Sequence, residues 1–208
     1  MRLFIVRHGE SENNLNRKYT GQFDAELTDM GRAQAKAIQP LLHHIKFDEV
    51  YSSDLKRAFE TAQLVLPNHT AKKTPLLREY FMGSFTNTRF ETATPSNLGE
   101  DVYRQIKSND YTHFGGENVS MVKKRVKEFL KPFETDEDKN VIAFAHGGII
   151  MAMLYSVMGE QSMFTSRRPN CMIAVFEYRN GKWMLSGWVD PSIFVKDFGI
   201  QNTDDKIL

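Results

Sequence analysis

Arg7, His8 and Gly9 follow directly on the apolar run Leu3 to Val6, so an imidazole and a guanidinium emerge together beside a residue without a side chain. That grouping suits a phosphoryl group. Its transfer needs a nucleophile in line with the leaving oxygen and donors around the three equatorial oxygens where charge is spread. Arginine supplies such donors, and an imidazole kept neutral by neighbouring cations can attack without help from a metal ion. Taken alone, the triplet reads more readily as a turn with a satisfied histidine. A second histidine, His146, closes the run VIAFAH and is followed by Gly147 and Gly148. Protonated or donating, it would neutralise charge on transferring oxygens, and the amides that open the next helix would add donors to the same anion. A core histidine bonded to a carbonyl fits that position too.

Such residues need a frame. Leu3 to Val6 has the pattern of a short strand buried on both faces in a parallel sheet, and VIAFAH repeats it. Thr28 is placed to cap a helix from about Asp29 to His44, with Ala33, Ala37, Ile38, Leu41 and Leu42 on its apolar stripe. Val50 and Tyr51 suggest another strand, Asp54 a cap for the helix LKRAFETAQLVL, and TPLLRE a further strand. A long irregular stretch from Tyr80 to about Glu117 reads as a lid. Val119, Val122, Val126, Phe129 and Leu130 repeat at helical spacing within residues 118–133, and Gly147 opens an apolar helix that ends near Gly159. Strands at about Met172 to Tyr178 and Trp183 to Trp188 flank the hairpin signal Asn180-Gly181. The expected fold is therefore α/β, a three-layer sandwich whose mainly parallel central sheet is covered by helices on both faces. It forms one domain over residues 1–208, with the lid at about 80–117. Ligands in such folds gather at the carboxyl ends of strands, where both His8 and His146 fall.

Composition narrows the partners. With 27 lysines and arginines against 26 acidic residues, no long-range field recruits nucleic acid or an anionic membrane, so an anion site must be local. One cysteine, Cys171, forms no internal disulfide and fits a reducing, cytoplasmic setting. The apolar run before Arg7 is too short for a signal peptide core or a membrane span.

The blocks RHGESENN, YTG, LTDMGRAQA, SSDLKRAFETA, LREYFMGSF and AHGG occur in that order. Together they resemble the histidine phosphatase superfamily, the phosphoglycerate mutase-like fold, over about residues 1–66, 76–85 and 140–190. The resemblance implies that His8 accepts the phosphoryl group beside Arg7, and that Arg57 is a second pocket arginine; Lys56 faces elsewhere, because adjacent helical residues point about 100° apart. His146 would be the second histidine, with Gly147 leaving room beside it. Asn14 would donate its amide to a phosphoryl oxygen, although a helix-capping role also fits. Glu79, in the pattern of Leu77, Glu79 and Gly83, would be the acid that protonates the leaving alkoxide and the base that activates water. Ser11, Thr20 and Gly21 match substrate-contacting positions of the mutases.

Three activities remain open. The first is a phosphatase acting on phosphate monoesters of small metabolites, with neither cofactor nor metal. The second is a 2,3-bisphosphoglycerate-dependent mutase, and the third a phospholigand-binding protein without turnover. Met82 stands where the mutases carry tyrosine, and no adjacent arginine pair lies between Gly83 and Glu117, which favours the phosphatase. Arg89, Tyr103, Arg104 and His113 fall in the lid, as ordinary surface residues or as contacts for the leaving group. Other groups carry no chemistry on this reading. His43 and His44 are adjacent on a helix and so on different faces, and His69 and His113 lack a ligand pattern. Lys123, Lys124, Arg125 and Lys127 read as a solvated helix face, and Gly115-Gly116 belongs to no nucleotide fingerprint. The sequence leaves the oligomeric state open.

Overall fold

The computed structural model describes residues 1–159 and 168–194. Segments 160–167 and 195–208 of the expected single domain lie outside the described residues. Strand β1 (Arg2–Arg7) leads through α1 (Glu12–Leu15), α2 (Asp29–Ala37) and α3 (Gln39–Leu42) to β2 (Glu49–Ser53). Helix α4 (Lys56–Val65) and β3 (Lys72–Thr74) follow, then α5 (Pro95–Leu98), α6 (Glu100–Lys107) and α7 (Val119–Leu130). Strand β4 (Asn140–Ala145), helix α8 (Gly147–Met158) and the hairpin β5 (Ile173–Arg179) and β6 (Lys182–Val189) complete the fold.

The six strands form one sheet in the order β3-β2-β4-β1-β5-β6. The first four run parallel, while β5 and β6 are antiparallel additions at one edge. Successive side chains of a strand point to opposite faces, and both faces here are apolar. Leu3, Ile5, Val141, Ala143 and Ala145 pack in one core with Val122, Val126 and Phe129 of α7 and Ile149, Ile150 and Met153 of α8. Phe4, Val6, Ile142 and Phe144 belong to the other, with Ala35, Leu42, Ala62 and Val65 of α2, α3 and α4. Each fully buried branched side chain contributes roughly 1.5–3 kcal/mol. The expected mainly parallel α/β sheet covered on both faces is what the chain forms. In the parallel pairing of β1 with β4, Arg7 stands opposite Ala145, so His8 and His146 leave neighbouring strand ends side by side.

The start of α2 closes on the loop after β1. Thr28 caps the helix as expected, its Oγ1 accepting from the Gly31 amide at 3.0 Å. A Cβ on Gly31 would lie 2.0 Å from the Glu10 carbonyl oxygen, so the two backbones touch where a side chain cannot fit. Asn180 and Gly181 take φ of +52° and +76°, the left-handed pair that a tight hairpin turn requires.

Several local expectations are corrected. The helix expected over residues 29–44 divides at Ile38, because Pro40 in the first turn of α3 has no N–H to continue the ladder. His43 and His44 lie beyond α3, and their rings meet with centroids 3.5 Å apart instead of facing away from each other. Asp54 does not cap α4. It binds Arg78 through two bonds of 2.6 and 2.7 Å, and the Lys56 amide donates instead to Asp24 Oδ1 at 2.7 Å. The strand expected in TPLLRE stops at Thr74, where Pro75 begins the 3-10 turn Pro75–Leu77. Residues 80–117 contain α5, α6 and three 3-10 turns, more order than expected. Phe85 ties this segment to the body through Tyr19, ring centroids 4.9 Å apart, and packs within the segment on Phe114 at 4.7 Å.

Candidate active site

At the carboxyl ends of β1 and β4 lies a cavity of about 540 Å3. Arg7, His8, Asn14, Thr20, Gly21, Arg57, Glu79 and Gly147 all line it, which brings eight of the ten sequence-derived positions into one space.

His8 is 4% exposed, and its orientation is fixed from two sides. Nδ1 lies 2.7 Å from the Gly9 carbonyl oxygen, to which only an N–H can donate. The proton therefore sits on Nδ1, and the Nε2 lone pair faces Arg57, whose Nε–H donates to it at 3.2 Å. Burial, then Arg57, then Arg7 hold this imidazole well below its ordinary pKa, while the Gly9 bond opposes them weakly. Neutral histidine is thus the form the site favours. The same backbone segment is tied down by Asn170, which donates to the His8 carbonyl at 3.0 Å, and by Thr61, which accepts from the Gly9 amide at 3.0 Å.

Arg57 has no exposed surface. Its Nη1 and Nη2 donate to the carbonyls of Phe23 and Gly21 at 2.8 and 2.9 Å, leaving Nε for His8. Burial lowers its pKa to about 10, against the opposing pull of Glu79 and Asp24, so it remains a cation at neutral pH. Lys56, its neighbour, points outward to Glu26. Arg7 donates to the Arg168 carbonyl, and its guanidinium lies against Gly147, where a Cβ would come 3.7 Å from Nε.

His146 is fully buried and stands behind the cavity wall instead of lining it. Its ring centroid is 5.1 Å from that of His8. Nε2 is 2.9 Å from Ser53 Oγ, and Nδ1 has no hydrogen-bond partner among the described residues. Burial, Arg57 and His8 lower its pKa well below the usual range.

Asn14 takes part in the cap of α1 and also lines the cavity. Its Oδ1 accepts from the Ser11 amide at 3.1 Å and the Ser11 hydroxyl at 3.0 Å, while its Nδ2 makes no bond to a described residue. Ser11, expected against substrate, is fully buried as the cap of α1 and does not line the cavity. It supports Asn14 instead. Glu79 is held at both carboxylate oxygens, Oε1 by the Tyr80 amide at 2.9 Å and Oε2 by the Gly148 amide at 3.1 Å. The amide expected to meet the anion at the start of α8 therefore holds the carboxylate. Glycine at 148 is required for this approach, since a Cβ there would fall 2.1 Å from Glu79 Oε1.

Sequence reasoning missed Lys18, Lys107 and Tyr155, which line the outer cavity with Tyr19, Phe90 and Tyr111. Lys18 and Lys107 make no ion pair with any described residue. Arg89, Tyr103, Arg104 and His113 do not line it. Among the described residues no cluster of three histidine, cysteine or carboxylate side chains is disposed to hold a metal ion. Nor is any helix among them long and apolar enough to cross a membrane.

Residues 3–191 match the family model of the histidine phosphatase superfamily, branch 1. A phosphoglycerate mutase-like protein 4 of Arabidopsis thaliana is 32% identical over 200 residues, which cover 91% of this chain and 85% of the relative. An adenosylcobalamin/alpha-ribazole phosphatase of Salmonella typhimurium is 31% identical over 160 residues, 74% of this chain and 78% of that protein. Among solved structures, a phosphoserine phosphatase mutant from Entamoeba histolytica in complex with phosphoserine superposes with a TM-score of 0.80 at 26% identity. The match covers 93% of this chain and 99% of that one.

Proposed function

The chain belongs to the histidine phosphatase superfamily, and on that premise we propose that it is a phosphatase that hydrolyses phosphate monoesters of small metabolites through a phosphohistidine on His8. The observation that carries this reading is the fixed tautomer of His8, with Nδ1–H on the Gly9 carbonyl and Nε2 free of a proton, in the cavity that Arg7, Arg57 and Glu79 line. Nε2 attacks phosphorus, the ester P–O bond breaks, and protonated Glu79 gives its proton to the departing alkoxide. Water then attacks phosphorus and loses a proton to Glu79 as the N–P bond breaks, which releases inorganic phosphate and restores neutral His8. Arg7, Arg57 and the Asn14 amide donate to the equatorial oxygens, while His146 stands behind the wall beside the His8 ring. None of these steps uses a metal ion.

Hydrolysis is favoured over the mutase reading, because Ser11 is buried away from the cavity and the Gly21 carbonyl is committed to Arg57. An acid in the cavity supports turnover over simple binding, which has no use for one. Residues 80–117 act as the lid that selects the leaving group. In the outer cavity Lys18 and Lys107 favour leaving groups that carry a further carboxylate or phosphate. Cytoplasmic residence rests on cysteine usage.

The test is a panel of phosphorylated metabolites assayed with wild type and His8→Ala, with and without EDTA. The wild type releases phosphate in both conditions and traps an acid-labile, alkali-stable phosphoenzyme, and the alanine variant does neither. Chelator-sensitive turnover restored by a divalent ion would refute the metal-independent route. Rapid exchange of 2- and 3-phosphoglycerate would put the mutase first.

A further inference from the structure

The proposed acid sits on an irregular segment, yet its place is fixed by a charged pair that the mechanism does not use. Arg125 of α7 lies inside the protein, its side chain 14% exposed, and all three guanidinium nitrogens are engaged. Nη1 donates to the carbonyls of Leu76 and Arg78 at 2.9 and 2.6 Å, and Nη2 to that of Glu79 at 3.1 Å. Nε and Nη2 also grip the two carboxylate oxygens of Glu117 at 2.9 and 3.0 Å. Glu117 reaches back to the same segment. Its Oε2 accepts from the Phe81 amide at 2.8 Å, and its own amide donates to the Phe81 carbonyl at 2.7 Å.

We infer that Arg125 and Glu117 are positioning residues that aim Glu79 at the leaving oxygen. The inference rests on the reading of Glu79 as the acid. Three carbonyls drawn from within four residues onto one guanidinium bend residues 76–79 around it. The Glu79 side chain is thereby turned to the opposite side, against the Gly148 amide. Glu117 neutralises the guanidinium charge, so the pair supplies geometry with little net field. Lysine cannot replace Arg125, since one ammonium does not span the set of acceptors that a planar fork collects.

An aryl phosphate series from p-nitrophenyl to phenyl phosphate separates this role from a merely structural one. A p-nitrophenolate departs without a proton, whereas phenolate gains from one, and kcat/KM reports only the steps through transfer to His8. With Glu79→Gln as the benchmark, Arg125→Met lowers kcat/KM for phenyl phosphate roughly tenfold or more and that for p-nitrophenyl phosphate by less than about threefold. Glu117→Gln, which leaves every carbonyl bond of Arg125 possible, shows the same selectivity to a smaller degree. Arg125→Lys does not restore the wild-type ratio. Equal losses on both esters in variants with a native circular dichroism spectrum, or no loss on phenyl phosphate, overturn the inference. A wild type inert to the whole series, or a His8→Ala variant as active as wild type, refutes the reading of the site and the inference with it.

Discussion

Arg57 Nε and His8 Nε2 lie 3.2 Å apart, so the guanidinium donates to the lone pair that the proposed mechanism directs at phosphorus. When phosphorus takes that lone pair, the N–H is already beside a new acceptor, a phosphoryl oxygen. The other two nitrogens stay on the carbonyls of Phe23 and Gly21, so the donor need not be repositioned. Arg57→Lys keeps a charge but loses the fork that makes these contacts at once. It lowers kcat/KM by roughly 10²–10³-fold, measured on any ester from the panel. A loss below tenfold would mean that charge alone suffices.

Acid sensitivity follows from the buried histidines. His8 and His146 are both held well below the ordinary imidazole value, chiefly by burial and then by Arg57. The unfolded chain binds protons as the pH drops through about 6.5, and the folded chain does not. Stability contributed by the neutral rings is therefore complete above about pH 6.5 and is lost as the pH falls toward their folded values. Each ring accounts for up to about 1.4 kcal/mol per pH unit in that window. The urea midpoint falls between about pH 7 and about pH 5.5, and His146→Gln makes that fall shallower. A midpoint independent of pH over this range would contradict the assignment.

Gly148 admits no side chain. A Cβ would meet Glu79 Oε1 at 2.1 Å and the Tyr80 ring at 2.6 Å, so Gly148→Ala displaces the acid while leaving Arg57 in place. Hydrolysis of phenyl phosphate drops by roughly 10²-fold, the usual scale for a misplaced general acid. Inorganic phosphate still binds with about its wild-type affinity in calorimetry, since its donors are untouched. Loss of phosphate binding in parallel would show a wider collapse.

Lys18 and Lys107 approach the cavity from separate segments without a carboxylate partner among the described residues. Replacing both with alanine raises KM for esters with an acidic leaving group by roughly tenfold, the sum of two partly screened ion pairs of about 0.7 kcal/mol each. Esters with neutral leaving groups change little. Equal KM changes for the two classes would remove the lysines from substrate selection.

Much of this was readable along the chain. Two apolar runs, each ending in histidine, placed His8 and His146 at strand ends, and ordered motifs pointed to Arg57, Asn14 and Glu79. Other features depend on contacts between distant segments. Asp54 looks like a helix cap until Arg78 is seen to hold it. Ser11 looks like a ligand contact until Asn14 is found to use its amide and hydroxyl. Arg125 differs in kind, since it stands in a run of basic residues that reads as a solvated face and only its phase sets it apart. With Val122, Val126 and Phe129 it completes the i, i+3, i+4, i+7 set that marks a buried helix face. Lys18 and Lys107 had no such signal, since nothing local indicates which surface lysine overhangs a cavity.

His8 and His146 each follow a rung of the β1–β4 ladder, Arg7 opposite Ala145. Neighbouring strands stand about 4.8 Å apart, close to the 5.1 Å between the two ring centroids. The main-chain repeat thus sets the scale of the span between the imidazoles. The outer segment bearing Lys107 contributes no rung. If the proposed hydrolysis holds, chimeras that exchange this segment transplant selectivity while the histidine pair keeps its dimensions, which makes the scaffold a starting point for tailored dephosphorylating reagents.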